Sequence, residues 1–165
     1  MKRASSISIA LLLGACGFHP LYGGMNGDMS ATLSSIYVEP VPDRIGYELR
    51  NTMIDLLDGP GTANGAAYRL KLALSENTQG IALQNDATIT RYNDTLTVTY
   101  ELTDRAGHVV TKGAETGLSA YNVLPSSGNA NYGTLAAQQD ADKRAAQDIA
   151  ERIRLDLAAF FRQRR

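Results

Sequence analysis

The sequence predicts an α+β fold, a two-layer sandwich of order β-α-β-β-β-α with two helices packed on one face of a four-stranded sheet. Three observations carry that prediction. Apolar residues recur at helical spacing in two segments, 44–57 and 134–162. Between them the period changes to two, the signature of strands with one buried face. Each helix has one apolar side to cover and a sheet has one such face to offer, so two layers are the simplest closure. A length of 165 residues suits one domain.

The first strand is expected within 33–39, where Ile36-Tyr37-Val38 forms a β-branched and aromatic cluster stopped by Pro40. Pro40 and Pro42 bracket a turn, and Asp43 is placed to cap the helix that follows. From Arg44 to Leu57 the apolar positions are Ile45, Leu49, Met53, Leu56 and Leu57, which line one helical face. Gly59-Pro60-Gly61 ends that helix, and 58–66 reads as a loop. Tyr68, Leu70, Leu72 and Leu74 then alternate with Arg69, Lys71, Ala73 and Ser75. Leu96, Val98, Tyr100 and Leu102 alternate with Thr95, Thr97, Thr99, Glu101 and Thr103. Asp104-Arg105-Ala106-Gly107 is a hairpin turn, and 108–120 is the returning strand, weakened by Gly113 and Gly117. Residues 121–133 read as a loop. Thr134 to Arg162 is a long helix with a stripe of Ala141, Ala145, Ile149, Ile153, Leu157 and Phe160. Its solvent side is assigned Asp142, Lys143, Gln147, Glu151, Arg152, Arg154 and Asp156. The uncovered sheet face is then rich in threonine: a solvated surface, or one that docks in a polar environment.

The N-terminus reads as an address. Met1-Lys2-Arg3 is followed by the apolar run Ile7 to Leu13 and by Gly14-Ala15-Cys16. That order is a secretory signal peptide over 1–15, and the sole cysteine stands where a bacterial lipobox places the lipidated residue. Cys16 is therefore the expected acylation site. Residues 16–32, rich in Gly, Met, Asn and Ser, are expected to be a lipidated tether with little regular structure, and 33–165 a single domain. Cleavage leaves 14 basic against 17 acidic side chains, so the lipid, and not surface charge, holds the protein to an anionic membrane. The near-neutral balance argues against a nucleic-acid binder.

No catalytic constellation emerges. Beyond the tether His108 stands alone beside a turn, no cysteine is available as a nucleophile, and no metal-ligand spacing or phosphate-binding glycine loop occurs. No catalytic residues, metal or cofactor are expected.

Several segments in order do resemble a family: Cys16-Gly17-Phe18-His19-Pro20-Leu21-Tyr22-Gly23 after the lipobox, Pro42-Asp43-Arg44-Ile45-Gly46-Tyr47-Glu48-Leu49-Arg50-Asn51 at the first helix, Asp86-Ala87-Thr88-Ile89-Thr90-Arg91-Tyr92 entering the middle strand, and Asp140-Ala141, Arg144-Ala145-Ala146, Ile149-Ala150 and Phe160-Phe161 on the last helix. The set resembles the LPS-assembly lipoprotein LptE in its alphaproteobacterial form. The resemblance implies an outer-membrane lipoprotein on the periplasmic side that plugs an LptD-like β-barrel and binds lipopolysaccharide. It implies Arg91, and one of Lys143 and Arg144, as lipopolysaccharide contacts; Lys112 is added from its charge alone. The competing expectation is an autonomous periplasmic ligand-binding or inhibitor lipoprotein with no barrel partner.

Overall fold

A computed structural model describes residues 26–83, 89–123 and 130–164. Its elements are α1 (Asn26–Leu33), β1 (Ile36–Val38), α2 (Asp43–Leu57), β2 (Tyr68–Leu83), β3 (Ile89–Asp104), β4 (Val109–Asn122) and α3 (Ala130–Gln163). The expected signal peptide, Cys16 and residues 84–88 lie outside the described residues, as do residues 124–129 of the loop expected before α3.

The sheet runs in the order β1-β2-β3-β4. β1 pairs parallel to β2, with Ile36 opposite Tyr68, while β2, β3 and β4 form an antiparallel meander. Parallel pairing requires a crossover, and α2 provides it. The alternation read from sequence is observed: Leu70, Leu72, Leu96, Val98, Tyr100 and Leu102 are buried beneath the helices. Leu49, Met53 and Leu57 of α2 meet them from above, with Ala145, Ala146, Ile149, Ile153 and Leu157 of α3. On the opposite face Thr97 Oγ1 lies 3.4 Å from Thr116 Oγ1, and Thr99 and Thr103 donate to the carbonyls of Ala73 and Arg69 at 3.4 and 3.5 Å. The threonine hydroxyls therefore face away from the core.

Gly113 and Gly117 are required by close packing. They stand on the buried face of β4, opposite Tyr100 and Leu96. A Cβ at Gly113 would lie 2.5 Å from the Tyr100 hydroxyl, and one at Gly117 would lie 3.0 Å from two Ile149 carbons. Tyr100 uses that space to donate to Asp156 of α3 at 3.0 Å, tying sheet to helix. Burial first, then the Asp156 carboxylate, push the Tyr100 hydroxyl up to about 12.

Several expectations need correction. The end of the tether is helical, because Met29 and Leu33, four residues apart, reach the core from α1. Leu33 accordingly ends a helix instead of opening the strand. Pro42, not Asp43, occupies the cap position of α2 and makes no side-chain cap; Asp43 begins the helix with φ 67°. β2 and β3 extend well past the alternating stretch, because residues 76–80 pair through their backbones while Glu76-Asn77-Thr78-Gln79-Gly80 gives no apolar period-two signal. The long helix starts at Ala130, four residues early, its first turns exposing Tyr132 and Leu135. Asp142 is buried, not solvent-facing: the small residues Ala141, Ala145 and Ala146 let α3 approach closely enough to carry the neighbouring carboxylate inside.

Candidate functional site

The N-terminal half of α3 lies across β4, and an open groove of about 390 Å³ follows that crossing. Arg91, Leu118, Ser119, Ala120, Arg144 and Asp148 are among its lining residues. Arg91 enters from β3, where it pairs with Asn122, and its guanidinium donates to the Asn122 side-chain oxygen at 3.4 Å. Arg144 comes from α3 and forms an ion pair with Asp140 one turn away. Asp148 is already bound by Arg152, so its charge is largely spoken for. Leu118 is 76% exposed on the rim. Two cations from elements 53 positions apart in sequence thus share one groove with an apolar side chain. That combination suits an amphiphile bearing phosphates or carboxylates, since guanidinium groups bind such oxygens in a planar, two-pronged way.

The four expected cations are not equivalent. Lys143 is exposed on α3 but does not line the groove; Arg144 does. Lys112 belongs to a separate hollow on the threonine face, with Lys71 and Glu101. Arg91 pairs with Asn122 and Glu101 with Lys112, so ten residues of β3 separate the two cations, about 33 Å at the usual strand rise. Lys112 and Arg91 cannot grip the same headgroup. Sequence reasoning missed Leu118, whose strand position is unremarkable; it shares the face of Arg91 and lines the same groove as the two arginines.

Behind the groove, between sheet and helix, Arg44 of α2 bonds Asp142 of α3. Asp94 of β3 and Glu76 of β2 face the same pair. Burial, reinforced by Glu76 and Asp94 and opposed by Arg44, raises the Asp142 carboxyl from 3.8 to about 6. The folded protein then holds a proton that the unfolded chain releases at lower pH. Stability should therefore fall as pH rises from about 4 to about 6, by at most about 3 kcal/mol, and level off above that. Urea midpoints measured against pH without divalent ions test this. Asp142→Asn should remove that slope from the wild-type curve; curves of equal slope would refute the assignment.

The comparisons with known proteins agree with the fold. The LptE family profile, described as lipopolysaccharide-assembly, matches residues 33–157. A solved lipoprotein structure from Caulobacter crescentus is 30% identical, with TM-score 0.69, covering 84% of this chain and 98% of its own. A minor lipoprotein from Acinetobacter baumannii shares the fold at 18% identity and TM-score 0.53, covering 75% of this chain and 88% of its own. Rare lipoprotein B from Shewanella oneidensis does so at 13% and 0.54, covering 75% and 92%. No curated protein gives a significant match.

Proposed function

The chain belongs to the LptE lipopolysaccharide-assembly family, and from that membership we propose that it is a non-catalytic lipoprotein, anchored through Cys16 to the periplasmic side of the outer membrane. There it plugs and supports an LptD-like β-barrel and binds lipopolysaccharide on its way to the outer leaflet. The observation that supports lipopolysaccharide contact is the meeting of Arg91 and Arg144 with Leu118 in one groove. Lipopolysaccharide presents anionic groups beside acyl chains, and the groove offers cations beside an apolar side chain. For the barrel, the supporting feature is the threonine face: wide membrane barrels have polar lumens, and hydroxyl side chains suit such walls. A lipid anchor keeps plug and barrel in one membrane, which raises their effective concentration.

A C-terminally tagged full chain, purified in mild detergent from its own envelope, should bring an integral β-barrel protein with it. A preparation that is monomeric and free of any barrel favours an autonomous binding lipoprotein instead. The anchor has its own test. Mass spectrometry of the mature protein should find acyl chains on Cys16, and Cys16→Ala should release the protein from the membrane fraction; a membrane-bound, acylated variant refutes the lipobox assignment.

A further inference from the structure

We propose that Glu76, Asp94 and Asp142 form a calcium-binding site between the sheet and α3. This goes beyond the lipopolysaccharide reading and does not depend on it. The three carboxylates come from β2, β3 and α3, and one oxygen of each lies within 4.8 Å of the others. An oxygen-coordinated calcium ion bonds at about 2.3–2.6 Å, so ligands on opposite sides of it stand about 4.6–5.2 Å apart. The cluster fits inside that span.

A second observation points to a ligand. Asp94 is only 2% exposed, and among the described residues neither of its carboxylate oxygens has a hydrogen-bond partner. A buried, unpartnered charge is costly enough to call for an explanation. Arg44 does not supply it, since its guanidinium serves Asp142 Oδ2. The Ser119 hydroxyl is likewise buried and without a partner among the described residues, and Ser119 stands directly opposite Asp94 in the ladder. Cross-strand neighbours on one face bring their side chains together, so this oxygen is available to the same ion. The charges also balance: three carboxylates and the Arg44 cation leave −2, which a divalent ion neutralises. Glu76 is exposed, so the ion enters from that side and keeps water in its remaining positions. Calcium is favoured over magnesium because it tolerates an irregular, partly hydrated set of carboxylates, whereas magnesium demands a tight octahedron.

Detergent-solubilised full-length protein, stripped with a chelator, is titrated with calcium chloride by calorimetry while its melting temperature is followed. One ion should bind per chain, and the melting temperature should rise with calcium concentration. Glu76→Gln, at an exposed position, keeps the fold and should weaken calcium binding at least tenfold. Asp94→Asn should abolish binding and raise the melting temperature of the calcium-free protein, because the unpartnered charge is gone. Asp55→Asn, at a surface position of α2 outside the cluster, should leave the titration unchanged. Absence of binding at millimolar calcium, or a response that survives both Glu76→Gln and Asp94→Asn, overturns the site. An equal response to magnesium chloride overturns the assignment to calcium.

Discussion

Ile153→Ala should lower the unfolding free energy by about 3 kcal/mol, within the usual range of about 2–5 for emptying a fully buried aliphatic site. Ile153 is completely buried on the stripe by which α3 packs on the sheet and α2. The shape of the cavity decides where in that range the cost falls. Here the neighbours are held on both sides: Ile149 sits against Gly117, and Tyr100 is bonded to Asp156. The site cannot collapse easily, which argues against the low end. For a chain of this size about 3 kcal/mol corresponds to a fall of about 10 °C in melting temperature. Leu155→Ala is the matched control, two residues away and 52% exposed, and should stay within about 0.5 kcal/mol of the parent. Chemical denaturation followed by circular dichroism measures both. Equal losses for the two variants would mean that α3 does not pack through the stripe described.

The second large effect concerns the groove. Arg91→Glu should weaken binding of purified lipopolysaccharide at least tenfold, since a charge-assisted hydrogen bond contributes about 1.5–3 kcal/mol and the new carboxylate repels the same ligand. Arg144→Gln should cost less, and the double variant more than either, because both side chains line one groove. Lys143→Gln and Lys112→Gln should have little effect, the first lying beside the groove and the second far along the sheet. The barrel complex should survive all four substitutions. Binding of immobilised lipopolysaccharide at two salt concentrations is the measurement, and unchanged affinity in folded Arg91→Glu protein would dismiss the groove as the contact.

Much of the fold was legible because burial and period coincide. Leu70, Leu72, Leu96, Val98 and Leu102 alternate with polar residues and are buried as alternation requires. The stripe from Ala141 to Leu157 gave the long helix for the same reason. The signal failed where backbone pairing continued without burial, as at 76–80, and where a helix turn ran beyond the core, as at 131–133. Sequence also left open whether β1 joins the sheet parallel, because hydropathy does not encode direction; the structure pairs it parallel to β2. At the groove, Arg91 and a basic residue of the last helix were legible through family resemblance. That Arg144 and not Lys143 lines the groove was not, since it depends on how α3 crosses β4, and Leu118 was not because an exposed strand leucine carries no signal of its own. Asp142 was misread because a charged residue beside an apolar stripe is usually solvated; here Arg44, 98 positions earlier, supplies its partner.

The pairing of β1 with β2 sets an order of assembly. The meander from β2 to β4 pairs strands that follow one another in sequence, so its contacts can grow from local ones and form early. β1 offers three residue pairs and closes a loop through the whole of α2 before gaining them. Nucleation therefore belongs to the meander, and the N-terminal strand docks late. A refolding chain would complete its structure from the middle outward, with the N-terminal strand the last to settle.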